Sequence, residues 1–206
     1  MHYSALMSST STLAAAIGAR VRRERMSRSW TLDQLADVAG ISRRMLVNVE
    51  QGAANPSVGT LLRLSDALGI GLPALVEPPA SAALQVTRDG QGAALWSSGA
   101  GGRGLLVAGT GAPDVVELWD WWLAPGDRHI SEAHTPGTKE LIQVRQGSVT
   151  VEAGEHSVVL EEGDAVGFPG DVPHSYANAG ASTARFSLAV FEPGVGTTAR
   201  PEVSHG

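Results

Sequence analysis

The chain contains no cysteine, which excludes disulfides and thiolate metal sites and suits a reducing cytoplasm. No apolar run approaches the roughly 18 residues that cross a bilayer. The short run Leu13 to Ile17 is followed by arginines, whereas a secretory leader carries its basic residues in front. We therefore expect a soluble, cytoplasmic protein with no membrane partner. Aromatic residues are scarce at 5%, yet Trp119, Trp121 and Trp122 crowd into four positions. Hydrophobic residues make up 43% of 206 residues, enough to build a core in one large or two small domains.

Charge is divided unevenly. Residues 1–76 hold eight arginines (Arg20, Arg22, Arg23, Arg25, Arg28, Arg43, Arg44 and Arg63) against five acids, a balance of +3. The remainder holds seven basic groups against sixteen acids, a balance of −9, and the two add to the net −6. A basic head on an acidic body points to a polyanion partner for the head only.

The texture divides in the same way. Residues 1–12 are polar and aperiodic and read as a disordered arm. From 13 to 76 apolar residues recur at three and four, the helical period. Glu77-Pro78-Pro79-Ala80-Ser81 neither continues a helix nor packs, so 77–83 reads as a linker. From 84 to 193 short runs of Val, Leu, Trp and Phe are punctuated by Gly, Pro and Asp, the pattern of an all-β sandwich or barrel. Residues 194–206 read as a flexible tail.

Five helices fit the head. The first covers Leu13 to Arg25, with Leu13, Ile17 and Val21 on one face. Thr31 caps the second and Gln34 completes a capping box; Leu32, Leu35, Ala36 and Ala39 form its buried stripe, and Gly40 ends it. Ile41 plugs the turn and Ser42 caps the third helix, anchored by Leu46 and Val49. Ser57 caps a fourth carrying Leu61, Leu64 and Leu68, and Leu72 to Val76 makes the last. With Leu46 and Val49 inward, Arg43, Arg44, Val47 and Asn48 project outward, with Met45 at the boundary of that face. Arginine's fork fits guanine O6/N7 or a phosphate, and asparagine pairs with adenine N6/N7. These residues occupy the first two turns of the third helix, the portion that enters the major groove in helix-turn-helix docking. Thr31 lies where a phosphate could meet helix N-terminal donors.

This head resembles the XRE (lambda-repressor-like) DNA-binding family from Ile17 to Val76, through the LDQLADVAGIS core, the VEQG ending, the NPS that opens the next helix, and LSDALGI. The resemblance implies base contacts from Arg43, Arg44 and Asn48, and backbone contacts from Thr31, Gln51 and Asn55. A helical bundle used only for protein contact would not need two arginines and an asparagine on one surface.

In the body, Val115 to Leu123 alternates imperfectly; its three tryptophans read as sheet packing before pocket wall. Glu132 and His134 are two apart, so on a strand both share one face. Thr135 to Thr138 reads as a turn, after which Glu140, Ile142 and Val144 share an inward face. Val172, His174 and Tyr176 alternate likewise. Imidazole and carboxylate are what a divalent Zn, Fe, Mn or Ni uses in the absence of thiolates. His129, His156, His2 and His205 read as surface residues.

From about Leu84 to Glu192 the body resembles the cupin family, a double-sheet jelly roll. Its first motif, G-x5-H-x-H-x(3,4)-E-x6-G, aligns with Gly126, Glu132, His134, Glu140 and Gly147, with the first histidine replaced and the gap before Glu140 lengthened. Its second, G-x5-P-x-G-x2-H-x3-N, aligns with Gly163, Pro169, His174 and Asn178, with Asp171 at the last glycine. The resemblance implies a small-molecule or metal pocket at Glu132, His134, Glu140 and His174, with His134, Glu140 and His174 as the matched metal ligands. Glu132 in place of histidine also fits a pocket in which Glu132 or Glu140 grips a ligand's amine.

The expected fold class is thus α + β in two domains: an all-α helix-turn-helix head and an all-β double-stranded β-helix. The expected function is a transcriptional regulator that reads a double-stranded DNA operator as a homodimer and senses a small-molecule effector, a metal, or both. The rival is a mononuclear non-haem iron cupin enzyme of the epoxidase or oxygenase type. A metal-storage cupin is a third reading.

Overall fold

Side-chain caps set the limits of the head's inner helices. The computed structural model describes residues 2–53, 56–76 and 84–197, with side chains from residue 12 onward. Helix α2 (Leu32–Val38) opens at Thr31, whose Oγ1 accepts the Gln34 N–H at 3.2 Å while its own N–H donates to Gln34 Oε1 at 2.8 Å. Gly40, at φ 61°, lets Ile41 N–H turn back to Ala36 O at 3.0 Å, which closes the helix with little steric penalty. Ser42 caps α3 (Arg43–Glu50) and Ser57 caps α4 (Val58–Leu68) by accepting the Met45 and Thr60 N–H groups. Helix α5 (Leu72–Val76) completes the head.

Helix α1 spans His2–Ser27, so the residues expected as a disordered arm continue the helix that was expected to start at Leu13. The stretch contains no glycine or proline to stop it. Leu35, Ala36, Ala39, Leu46, Val49, Leu61, Leu64 and Leu68 are all buried, as their spacing predicts. Helix α1 lies so close to α3 that a Cβ on Gly18 would stand 2.2 Å from the Val49 carbonyl oxygen.

The body forms two antiparallel sheets. One has six strands in the order β1 (Ala93–Ser97), β2 (Arg103–Gly109), β3 (Val115–Leu123), β10 (Ala184–Glu192), β5 (Lys139–Gln146) and β8 (Ala165–Pro169). The other has four, in the order β4 (Arg128–Ser131), β9 (His174–Ala177), β6 (Val149–Ala153) and β7 (His156–Leu160). This is the expected jelly-roll layout. Inward residues of β3, β10 and β5 align in rungs: Trp121, Phe186 and Val144; then Trp119, Leu188 and Ile142; then Glu117, Val190 and Glu140. Two rungs are apolar, and the third brings two carboxylates into the interior.

The head packs against the barrel. Gly71 of the turn before α5 abuts Val115, and Pro73 of α5 abuts Gly109. One hydrophobic cluster runs from Ile17 and Leu46 through Leu72 and Leu75 to Trp119 and Phe186. The start of the expected tail belongs to this contact: Val195 is buried, its N–H donates to Pro113 O at 2.7 Å, and Gly196 backs onto Gly69. The expected linker at 77–83 and the tail beyond Thr197 lie outside the described residues.

Candidate functional site

On the head, Leu46 and Val49 anchor α3 and leave Arg43, Arg44 and Met45 exposed, with Asn48 half-buried beside them. Arg43 Nε sits 3.0 Å from Asp33 Oδ1, both largely exposed; such a pair contributes little to stability and exchanges easily for a phosphate. Thr31 and Gln51 flank this face as the N-cap of α2 and the C-cap of α3. Asn55 lies outside the described residues. The basic excess counted from sequence is partly structural. Arg25 clamps Glu50 through two bonds of 2.6 and 2.9 Å, Arg28 donates to Leu68 O, and Arg20 donates to Ala74 O.

In the barrel, His134, Glu140 and His174 come together, with ligand atoms within 4.8 Å of one another. His134 Nε2 lies 3.1 Å from Glu140 Oε1, and the Tyr176 hydroxyl donates to Glu140 Oε2. His174 Nδ1 stands 2.8 Å from Val172 O. A carbonyl only accepts, so Nδ1 carries the proton and Nε2 presents a lone pair in the neutral ring. That Nε2 is buried without a hydrogen bond, 3.2 Å from Glu140 Oε1 but out of line for one. Two acceptors so close call for a cation between them, a proton or a metal ion. Burial pushes the Glu140 carboxyl up, but His134, His174 and Tyr176 outweigh it and hold it at about 2.

Glu132 does not join this group. Strand β4 ends at Ser131, so residues 132–138 leave the sheet and the alternation expected for Glu132 and His134 does not apply. The Glu132 side chain is 84% exposed and pairs with Arg63 of α4 at 2.9 Å. The second motif's departure is local: Asp171 Oδ2 accepts the Gly137 N–H at 2.8 Å, tying down the turn between Thr135 and Thr138. Asn178 bonds the Leu123 and Ser182 carbonyls and the Gly180 N–H, a structural role.

The pocket also holds residues the sequence reading passed over. Its walls include Glu117, Trp119, Trp121, His129 and Tyr176, roofed by Val58 and Leu62 of α4. Trp119 and Trp121 are therefore pocket wall as well as packing, and Trp122 faces outward under the Arg103 and Arg185 guanidinium groups. His129, expected at the surface, rests 4.7 Å from the Trp121 ring centre, and burial lowers its pKa to about 4, leaving it neutral. Trp119 Nε1 donates to Glu117 Oε2 at 2.8 Å, while Glu117 Oε1 and Glu192 Oε2 are buried without a partner. Burial, reinforced by the nearby carboxylates, raises Glu117 to about 8; Glu192 is raised to about 7 by burial and by Asp66. Alternation on β3 was the signal that placed Glu117 inward; its tryptophans obscured it.

The inner cavity measures about 30 Å³. It adjoins a groove of about 220 Å³ between α4 and the barrel, lined by Leu62, Arg63, Asp66, Glu132 and His134. Burial raises Asp66 to about 6 against the pull of His134.

Comparison with known proteins agrees with both halves. The helix-turn-helix family matches residues 21–75 and the cupin domain family matches residues 119–191. The chain is 26% identical over 184 residues to the HTH-type transcriptional regulator SutR of Escherichia coli K12, covering 88% of this chain and 97% of that protein. It is 40% identical over 60 residues to the immunity repressor protein of Bacillus phage phi105, covering 29% of this chain and 42% of that one. An HTH_3 family transcriptional regulator from Vibrio cholerae has the same fold, with a TM-score of 0.67 at 23% identity over 89% of this chain and 99% of that one. The chain therefore joins a helix-turn-helix domain of the XRE type to a cupin domain.

Proposed function

We propose that the chain is a sequence-specific transcriptional regulator of the cytoplasm: the head reads DNA and the cupin barrel senses a small molecule, a metal ion, or both. The observation that carries this is α3, whose buried Leu46 and Val49 leave Arg43, Arg44 and Asn48 as a polar face suited to base edges. Thr31 and Gln51, with Asn55, are assigned to the backbone. Replacing Arg43 and Arg44 together with alanine should abolish operator binding, with unchanged circular dichroism, and should flatten the salt dependence of what remains. Retention of full operator affinity by the double variant sinks this assignment.

Operators for such heads are two-fold, so the active form is a homodimer with reading helices about 34 Å apart. Supporting this, the outer face of the six-stranded sheet exposes Val116, Leu118, Leu141 and Phe191 on the adjacent strands β3, β10 and β5. Sedimentation equilibrium of Leu118→Glu/Leu141→Glu should give a monomer.

His134, Glu140 and His174 suit a divalent ion: two imidazoles, one carboxylate and an orphaned buried Nε2. Elemental analysis of untagged protein purified without chelators should find Zn, Fe, Mn or Ni, lost in His174→Ala. The same donor set favours a second reading, a mononuclear iron enzyme, since ferrous iron there would keep open positions for oxygen chemistry. Oxygen consumption by the iron-loaded protein with a candidate substrate would establish that alternative.

A further inference from the structure

The acidic rung of the barrel carries an inference about what the pocket takes, one that rests on the sensor reading above. Glu117 and Glu192 sit on the inward faces of the paired strands β3 and β10, each 1% exposed. Each keeps one carboxylate oxygen with no hydrogen-bond donor. Leaving such an oxygen dry costs about 1–3 kcal/mol unless something donates to it. No lysine or arginine lines the inner cavity, and Glu140 and the two tryptophans face it alongside Glu117. From the head, Asp66 lines the adjoining groove, where Arg63 is already paired with Glu132, and interacts electrostatically with Glu192.

We infer that the pocket binds a small organic cation through a protonated amine, which donates to the unpartnered Glu117 oxygen beside the Trp119 and Trp121 rings, with the buried Glu192 behind the cavity wall adding a second negative charge. An anion in the inner cavity would face the carboxylates of Glu117 and Glu140 with no lysine or arginine to offset them. Among the described residues the one group of three or more ligand residues with atoms within 4.8 Å is His134, Glu140 and His174, and neither Glu117 nor Glu192 belongs to it. An ammonium group, by contrast, offers three diverging donors and tolerates wider spacing, and indole faces attract it further. The cavity of about 30 Å³ holds the ammonium end. Leu62 and His134 line both this cavity and the groove of about 220 Å³, which accommodates the rest of the molecule beside Asp66. A cation so placed touches both domains, because Leu62 and Asp66 belong to α4.

The test uses the full chain and three probes of one size: n-butylammonium, butyrate and 1-butanol. Titration calorimetry and tryptophan fluorescence should show n-butylammonium binding in the millimolar range or tighter, with neither other probe binding. Glu117→Gln, which keeps shape and removes charge, should weaken it about tenfold or more, and Glu192→Gln should weaken it by less, with melting temperatures showing that both variants fold. Equal binding of butyrate or butanol, no binding of n-butylammonium, or unchanged affinity in both variants overturns the inference. Operator affinity separates the two levels. A response to butyrate without binding of n-butylammonium overturns the cation assignment and leaves the sensor reading standing. Glu117-dependent binding of n-butylammonium that leaves operator affinity unchanged upholds the cation assignment and overturns the sensor reading.

Discussion

Glu117 and Glu132 show how far a carboxylate's role depends on its surroundings. Glu132 lies in a loop, exposed, against the half-exposed Arg63. Such a pair is worth only about 0–1 kcal/mol, so Glu132→Ala should shift the melting temperature by less than a few degrees. Glu117 is buried with its pKa raised to about 8. A carboxyl whose folded pKa lies above its unfolded value contributes stability below the unfolded pKa, near 4.5, and that contribution is lost as pH rises toward 8. Denaturant unfolding of the ligand-free protein should therefore show stability declining from pH 5 to 8. Glu117→Gln should remove part of that decline, gaining on the order of 2 kcal/mol over the parent at pH 8 relative to pH 5. Greater stability together with lost amine binding would mark Glu117 as a residue kept for function.

Helix α4 works on two faces. Leu61, Leu64 and Leu68 fill the head's core, while Val58, Leu62 and Asp66, one turn apart, meet the barrel. The core stripe was readable from its period. The second stripe was not, because a valine, a leucine and an aspartate on a solvated face would look the same in sequence. Other elements followed local rules closely: the capping box at Thr31 and Gln34 formed as its spacing requires. Thr31→Ala should cost about 1 kcal/mol in chemical denaturation. Gly18, by contrast, owes its identity to a distant partner. Gly18→Val should destabilise by at least about 2 kcal/mol, since even a Cβ there meets the Val49 carbonyl at 2.2 Å and α1 must shift away from α3.

Across the whole molecule, one hydrophobic cluster passes from the head through α5 into the barrel. Calorimetry should accordingly give a single transition whose calorimetric and van't Hoff enthalpies agree; two separate transitions would show that this interface contributes little. Ligand access follows from the same packing. Val58 and Leu62 roof the inner cavity and Leu62 also borders the adjoining groove, so a ligand that spans the two lies directly against α4. Helix α4 follows α3, the helix proposed to read DNA, within the same small core. A difference of about 1–3 kcal/mol in ligand affinity between DNA-competent and incompetent placements would couple the two sites.

By itself the sequence determined the two fold types, the five helices and their caps, the outward Arg43, Arg44 and Asn48, and the inward Glu140 and His174. All of these follow from short-range rules: period, capping chemistry, and alternation along a strand. Only the tertiary structure decided that β4 stops at Ser131 and sends Glu132 to Arg63, that His129 and Glu117 face the pocket, and that α4 roofs it. Those facts depend on where strands end and on which surfaces meet, as with Arg63 and Glu132, 69 positions apart, for which no local pattern exists. The acid-rich interior exists only because β3, β10 and β5 pair side by side.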